Sequence, residues 1–275
     1  MSGMRFELRD PPDMRLDLSP LVPDRLAGLD QAAIERIELG TTRTSRRVGD
    51  VFGVHMADCD CIAIEGGSPR FDWVGAGMRG GELVVEGEAG LYAGRQMAGG
   101  LLRIRGRVGG WAASGLRDGY LEIGGDAGPF LGGPLAGERA GMAGGTVVVR
   151  GSAAERAGDC LRRGLIVIEG RAGPHPGSRM LAGTLIVCGA AGASPGYLMR
   201  RGTLVLGAAR ALLPTFVPVG EASSAFRRLL AGTLTAFSPR AARLVGRAQD
   251  RFMGDMASLG KGEILMPALA TRPFR

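Results

Sequence analysis

Cysteine and histidine are the residues of this 275-residue chain with the widest chemistry, and their spacing limits what they can do. The chain carries six of them: Cys59, Cys61, Cys160, Cys188, His55 and His175. No CxxC pair occurs, and four scattered cysteines are too few for a disulfide framework, so neither a structural zinc site nor a disulfide-stapled fold is predicted. Cys59 and Cys61 share one face of a predicted strand, where we interpret them as two partly covered thiols rather than a redox pair.

Nothing in the sequence brings a nucleophile, a base and an oxyanion donor together. His55 precedes the glycine-rich part of the chain and His175 lies in a turn flanked by prolines; neither has a cysteine or carboxylate partner at catalytic spacing. Trp73 and Trp111 are interpreted as residues that fill corners or form a contact surface. We therefore predict no catalytic residue and no metal ligand in this chain, and we assign no cofactor-binding residue.

The charge of the chain points to acidic partners. Its net charge is +7, its pI is about 10.0, and Lys261 is the only lysine among 34 basic residues. A basic surface attracts acidic proteins and polyanions, but the arginines are not interleaved with stacking aromatics, so no nucleic-acid partner is predicted. Arg43, Arg46 and Arg47 form a basic cluster, which is either a solvated loop or a contact to an acidic partner.

The beginning of the chain predicts neither a secretory signal nor a membrane span. Residues 1–19 mix charged and apolar side chains without a continuous apolar run, which both kinds of segment need. We expect a cytoplasmic protein without a membrane partner.

Glycine, at 48 residues, marks the organisation of the chain. The pattern M-x-x-G-x-L-x-V-x-G recurs, and its copies begin at Met78, Met97, Leu116, Met142, Leu161, Met180 and Met199. These starts are 19 residues apart except between Leu116 and Met142, where extra residues around Pro129 to Gly141 predict an inserted loop. A degenerate first copy carries Ile62, Ile64 and Gly66.

The length of the period predicts the architecture. Nineteen extended residues span at most about 63 Å, enough for one circuit of a small coil but too few for a propeller blade of about 40 residues. Hydrophobic residues two apart, such as Leu83 and Val85, face one side of a strand, and glycines make the corners. We predict an all-β fold: a right-handed single-stranded parallel β-helix of about eight coils with the paired residues inside.

Two patterns are predicted on the outside of the coils. Opposite charges stand one coil apart in three pairs: Glu86 with Arg105, Arg103 with Glu122, and Arg150 with Glu169. Such stacked pairs are worth about 0.2–1 kcal/mol each. Three apolar residues occupy one outward position in successive coils: Val148, Val167 and Ile186. This apolar strip must be covered, either by the C-terminal segment of the same chain or by a partner subunit.

The two ends lose the repeat and are predicted to be separate parts. Residues 1–50 form an N-terminal cap, with a strand from Met4 to Arg9 and a short helix from Gln31 to Leu39 whose N-cap is Asp30. Residues 51–210 form the β-helix. Residues 211–275 form an extension packed on the rod, with helical character from Ala241 to Met256. Both ends are predicted to contain helices, because a solenoid needs its terminal coils capped.

Stretches outside the repeat resemble a known family. They are Gly49-Asp50-Val51-Phe52, Phe252-Met253-Gly254-Asp255 and Gly260-Lys261-Gly262-Glu263-Ile264-Leu265. Together with the glycine-rich repeats they resemble the C subunit of formylmethanofuran dehydrogenase, over nearly the whole chain. The run from Leu16 to Leu26, followed by Leu39-Gly40-Thr41-Thr42-Arg43, resembles the bacterial branch of that family found in methylotrophs.

The resemblance to that branch implies a non-catalytic scaffold subunit of a formyltransferase/hydrolase complex. Such a complex moves a formyl group between tetrahydromethanopterin and a methanofuran-like cofactor and releases formate. It implies partners A (hydrolase), B and D (formyltransferase), active sites on partner subunits, and no cofactor bound by this chain alone. Arg43, Arg46 and Arg47 then become candidates for contact with a partner or with a polyglutamate tail of the furan cofactor.

Two other functions stay open. In archaeal relatives the complex is a molybdenum or tungsten dehydrogenase, of which this chain would be the C subunit; metal-pterin ligands on the companion B subunit would discriminate that case. The repeat also resembles the C-terminal domain of the glutamate synthase large subunit, which implies a structural domain that braces a channel. The tail motif from Phe252 to Leu265 argues against this last alternative.

Overall fold

The computed structural model describes residues 3–40 and 46–268. This part of the chain contains fifteen β-strands, numbered in chain order: β1 (Gly3–Leu8), β2 (Leu16–Asp17), β3 (Phe52–His55), β4 (Asp58–Glu65), β5 (Phe71–Asp72), β6 (Glu82–Val85), β7 (Ala98–Ile104), β8 (Asp118–Ile123), β9 (Ala143–Val149), β10 (Arg163–Ile168), β11 (Thr184–Ala191), β12 (Arg201–Ala209), β13 (Val217–Glu221), β14 (Asp250–Gly254) and β15 (Lys261–Met266). Strands β2 and β5 pair separately, and the other thirteen form one sheet.

The large sheet is mostly parallel. Its order is β13-β14-β15-β12-β11-β10-β9-β8-β7-β6-β4-β1-β3. Neighbouring strands are parallel all the way from β15 to β1, and antiparallel pairs occur only at the two edges, β1 with β3 and β13-β14-β15. The prediction of a mostly β fold with a parallel sheet is confirmed.

The register of the sheet follows the 19-residue repeat. Leu83 pairs with Leu102, and Leu102 pairs with Leu121 one strand further. Val85 and Ile104 form a second column two residues along. All of these side chains are fully buried, so the hydrophobic pairs face the core as predicted.

A second ladder runs beside the large sheet. Single parallel bridges join residues at one position of successive repeats: Ala89, Val108, Ala127, Ala153, Ala172 and Ala191. Each repeat therefore stacks on the next at two separate places. A glycine is required inside β7: at Gly100, the third residue of the strand, φ is +81°, and a Cβ would lie 2.7 Å from Met78 Cε and 2.8 Å from the Gly81 oxygen.

The corner beside this ladder is filled by aromatic rings. Trp73, Tyr92, Trp111 and Phe130 have positive φ angles and stack in sequence, with ring centroids 4.5, 5.8 and 5.3 Å apart. Stacked rings of this kind contribute beyond their buried area, which offsets part of the strain of a left-handed backbone. Trp73 and Trp111 thus fill the corner, one of the two roles expected of them.

The inserted loop lies where the longer step predicted it. Residues 129–141 contain no strand or helix. Glu138 in this loop accepts a hydrogen bond of 2.6 Å from Arg95 Nη2, and the Arg95 side chain is largely buried. The loop is thereby tied to a repeat two steps away.

Five helices occur in the described residues: α1 (Pro23–Leu26), α2 (Gln31–Glu35), α3 (Val48–Val51), α4 (Ser224–Thr235) and α5 (Pro239–Arg247). Asp30 caps α2 as predicted, accepting from the Ala33 N–H at 2.7 Å. The helix ends at Glu35 rather than Leu39, because the backbone beyond it pairs with another segment. Leu39 donates its N–H to the Arg46 oxygen at 2.7 Å, and Glu38 forms an antiparallel β-bridge with Arg47. None of these helices is both long and apolar enough to cross a bilayer.

The C-terminal segment differs from the expected helical extension. The helix predicted from Ala241 to Met256 stops at Arg247, and β14 follows because its strand hydrogen-bonds antiparallel to β15. Strand β15 in turn pairs in parallel with β12, with Arg201 opposite Lys261. This segment therefore adds a strand to the sheet, and its Ile264 continues the buried core column. Strand β1 extends the other end of the stack in the same way, in parallel with β4.

The predicted apolar strip is covered by the chain itself. Val148, Val167 and Ile186 are fully buried under α4 and α5, against residues that include Leu234 and Val245. Val205 and Leu265 extend the strip toward the C-terminus. Of the two covers expected, the C-terminal segment occupies it. The prediction that the strip contacts a partner is wrong, because side chains with no exposed surface cannot reach one.

Candidate functional site

The basic cluster lies beside α3 and is balanced by acidic groups. Arg43 lies outside the described residues. Arg46 Nη2 is 3.8 Å from Asp13 Oδ2, with both side chains more than half exposed, and Arg47 donates its backbone N–H to Asp50 Oδ2 at 2.9 Å. Arg46 lines a cleft of about 250 Å³ together with three carboxylates: Asp10, Asp13 and Asp50. An acidic ligand at this cleft would meet more negative than positive charge among the described residues.

The paired cysteines lie on β4, and both are free, partly exposed thiols. Cys59 packs against the core, whereas Cys61 lines a cleft on the outward face of the sheet. Asp58, Cys59 and Asp60 bring one ligand atom each to within 4.8 Å of one another. Exposed acidic groups commonly gather without a metal, so the prediction of no metal ligand in this chain stays a prediction.

The two histidines occupy different surroundings. His55 Nε2 lies 3.4 Å from Glu7 Oε2 on the neighbouring strand, with both side chains about half or more exposed. The sequence did not indicate this carboxylate because the pairing of β1 with β3 creates it. His175 sits in its turn with the ring centroid 6.0 Å from that of Tyr197, and its Nδ1 is buried.

One buried polar cluster was missed by sequence reasoning. Asp159 is fully buried; it accepts a hydrogen bond of 2.7 Å from Ser178 Oγ and one of 3.0 Å from Arg179 Nε, and it also pairs with Arg179 Nη2. Burial is the main cause that raises the pKa of the Cys160 thiol, and the negative charge of the nearby Asp159 carboxylate raises it further. A protonated thiol is a weak nucleophile, so this cluster is suited to holding a corner rather than to covalent catalysis. The 19-residue step from Asp159 to Ser178 was the signal available.

The outward charges form the predicted pairs. Three contacts match the predicted partners: Arg105 Nε with Glu86 at 3.6 Å, Arg103 Nε with Glu122 at 3.1 Å, and Arg150 Nη1 with Glu169 at 2.9 Å. A fourth contact was not foreseen, between Arg150 Nη2 and Glu122 at 2.7 Å. It crosses the inserted loop, which breaks the 19-residue register. The outward charges thus form a continuous ladder from Glu82 to Glu169.

A second acidic group organises the C-terminal end of the sheet. Asp255 is nearly fully buried and accepts hydrogen bonds from the N–H groups of Leu198 and Ala257, both at 2.9 Å. Burial alone would raise the pKa of Asp255, but the nearby Thr215 hydroxyl and the hydrogen bonds from the Ala257 and Leu198 N–H groups lower it. The ionised carboxylate therefore pins the turn that follows β14 to the last repeat.

The described residues thus define a class: a repetitive β-sheet protein in which the outward charges and the buried carboxylates Asp159 and Asp255 are engaged in structural contacts. No family model matches the chain. It is 43% identical to the C subunit of the formyltransferase/hydrolase complex Fhc of Methylorubrum extorquens, over 98% of this chain and 100% of that protein.

The chain is also similar to a protein of known structure from the same organism. The chain matches one in the X-ray crystal structure of the formyltransferase/hydrolase complex FhcABCD from Methylorubrum extorquens in complex with methylofuran. The TM-score is 0.92 at 41% sequence identity, covering 96% of this chain and 99% of that one. The chain belongs to the family formed by the C subunits of formyltransferase/hydrolase complexes.

Proposed function

We propose that this chain is a non-catalytic scaffold subunit of a cytoplasmic formyltransferase/hydrolase complex, with hydrolase, B and formyltransferase subunits as its partners. The complex would transfer a formyl group between tetrahydromethanopterin and a methanofuran-like cofactor and release formate on those partners. The observation that carries the proposal is the full-length similarity to the C subunit of such a complex. We infer that this chain binds neither cofactor by itself.

The state of the thiols supports the non-catalytic part of the proposal. Burial raises the pKa of Cys188 to about 11, and the pKa of Cys160 is also shifted upward. A nucleophilic cysteine needs the opposite shift. His55 is paired only with an exposed carboxylate at 3.4 Å, and no acyl-transfer nucleophile lies in hydrogen-bond contact with it among the described residues.

We propose in addition that the repeats wind into a right-handed single-stranded parallel β-helix with helix-containing ends. The two ladders support this, since residues 19 apart stack both in the large sheet and at Ala89 and Val108. Eight strands, β4 and β6 to β12, correspond to the eight copies of the repeat. A stack of this kind offers a rigid surface for assembly.

The test compares the formyl-transfer and formate-releasing activities of the purified chain with those of the complex that contains it. The purified chain should show no release of formate from the formylated furan cofactor and no formyl transfer to tetrahydromethanopterin. The complex isolated through a tag on this chain should show both, and mass spectrometry should identify the other three subunits in it. Robust turnover by the single chain would contradict the scaffold role.

We further propose that Arg43, Arg46 and Arg47 contact an acidic partner or a polyglutamate tail of the furan cofactor. Because Asp10, Asp13 and Asp50 line the cleft beside Arg46, we expect this contact outside the cleft. The long, exposed pair between Arg46 and Asp13 supports it, because a weak surface pair is easily exchanged. Reversing the three charges to Glu should lower the amount of furan cofactor that co-purifies with the complex. Unchanged cofactor content would assign the cluster to a solvated loop.

A further inference from the structure

Exposed apolar side chains concentrate at the C-terminal end of the large sheet. Four of the nine large exposed hydrophobic residues in the described chain lie there: Val217, Val219, Met256 and Leu259, each 40–49% exposed. We call these four residues the apolar end surface. Large exposed hydrophobic groups that gather in one place typically mark an interaction site.

The backbone joins the two halves of this surface. Val217 and Val219 lie on β13, the last strand of the sheet, and Met256 and Leu259 lie in the turn between β14 and β15. Val217 pairs with Met253, and the Met256 N–H donates to the Thr215 oxygen at 3.1 Å. The buried Asp255 carboxylate fixes the start of the turn, so its exposed side chains are held on a rigid support.

A rim of unpaired positive charge borders the surface on one side. Arg201 lies opposite Lys261 on neighbouring strands, and Arg200 lines a cleft of about 540 Å³ with Arg139 and with Ser258 of the turn. These four basic side chains are exposed and have no acidic partner among the described residues. Two carboxylates near this rim are already engaged: Glu138, which lines the same cleft, with Arg95, and Glu263, on β15, with Arg251.

We infer that the apolar end surface docks another subunit of the complex, through a surface that is apolar at its centre and acidic at its edge. The inference rests on the proposed function, which supplies the partner subunits. Charge complementarity selects the partner: the basic rim attracts an acidic edge and raises the rate of association.

The same charges argue against a second copy of this chain. A two-fold contact through this surface would bring two basic rims, each with Arg200, Arg201 and Lys261, into one interface. Pro218, the second residue of β13, has no N–H donor, and a proline within a strand is typical of a protected sheet edge. The partner is therefore expected to pack by side chains rather than to extend the sheet.

The test compares two matched double variants in the native complex, each isolated through a tag on this chain. M256E/L259E places two charges on the apolar end surface. M56E/L229E makes the same two changes at exposed sites elsewhere, Met56 after β3 and Leu229 on α4. We expect M256E/L259E to lower retention of at least one partner subunit by tenfold or more, and M56E/L229E to stay within twofold of the wild type.

A third variant and a folding control complete the design. R200E/R201E should also lower retention of the partner subunit. The binding of that subunit to the variant should depend less on salt concentration than its binding to the wild type. Circular dichroism and thermal melting of each purified chain should match the wild type, since all substituted side chains are exposed. If M256E/L259E misfolds, retention of the partner subunits by R200E/R201E tests the docking surface instead.

The other outcomes overturn the inference separately from the proposed function. Wild-type retention of every partner by a folded M256E/L259E would overturn the docking surface alone. Retention of partners with loss of self-association, measured by sedimentation, would assign the surface to a second copy. If the wild-type chain captures no formyltransferase/hydrolase subunit, the proposed function itself fails.

Discussion

The outward face of the large sheet has two halves with the same backbone and different covers. The charged half carries Ala63, Val84, Arg103 and Glu122 at one outward position of successive strands, and all four residues are partly exposed. The apolar half continues that position with Val148, Val167, Ile186, Val205 and Leu265, and it lies under α4 and α5. Each strand pairs in the same parallel register in both halves, so the side chains alone make the difference.

The border between the halves shows how the helices are positioned. Arg150 reaches Glu122 on the charged side, and its Nη1 donates to the Phe237 oxygen at 2.8 Å, where α4 has ended. Ser238 both caps α5, through the Ala241 N–H, and donates to Glu169 at 2.6 Å. The charged ladder thus sets where the apolar cover stops.

The largest expected effect comes from a charge placed in the apolar half. Val167→Asp buries a carboxylate without a partner under the helices, and we expect it to lower the free energy of unfolding by about 4 kcal/mol or more. The matched change in the charged half, Val84→Asp, faces solvent and should cost less than about 1 kcal/mol. Urea denaturation of both chains measures the difference. Equal losses would show that the helices do not seal the strip.

A smaller effect is expected at the border. Arg150→Met removes contacts to Glu122, Glu169 and the Phe237 oxygen, and should cost about 1–3 kcal/mol, since charged hydrogen bonds are lost in a partly buried setting. Arg105→Met is the control: its pair with Glu86 is long and about half exposed, so its loss should cost less than about 1 kcal/mol. A ranking in the reverse order would contradict the role given to the border.

The border should also make stability depend on pH. Burial alone would raise the pKa of Glu122, but hydrogen bonds and charge from Arg150 and Arg103 lower it below its ordinary value of 4.5. A carboxyl with a lowered folded-state pKa stabilises the fold above its unfolded pKa, and this contribution is lost as the pH falls through the folded value. The stability difference between wild type and Glu122→Gln should therefore be constant from about pH 6 to 7 and shrink below about pH 4.5. A constant difference down to about pH 3 would contradict this linkage.

The smallest effect concerns reactivity rather than stability. Cys188 packs under the helices of the apolar half and has a pKa of about 11, whereas Cys61 lies in the cleft of the charged half. At about pH 8 only about 0.1% of a thiol with such a pKa is ionised. Iodoacetamide should therefore label the Cys61 peptide at least about tenfold faster than the Cys188 peptide, as peptide mass mapping would measure. Equal rates would mean that the cover opens readily.

Local patterns predicted the repeated part of this protein well. Alternation of hydrophobic residues found the buried columns at Leu83 and Val85, and equal spacing found the ion pairs of Arg103 and Arg105. The pattern of Ala241 to Met256 misled at β14, because pairing with β15 overrides helix propensity there. The buried Asp159 cluster was missed because its members follow the repeat but carry no hydrophobic alternation.

The sequence by itself determined the period, the inward columns and the glycine corners, because each copy encodes its own strand and turns within 19 residues. The resemblance to the family came from the stretches outside the repeat together with the glycine-rich copies. Only the tertiary structure decided which segment covers the apolar strip, how Arg150 bridges the inserted loop, and where the apolar end surface forms. Those features join residues far apart in the chain, such as Arg150 with Phe237 and Asp255 with Leu198. Contacts of such long separation leave no local pattern, since they depend on how the stack brings distant segments together.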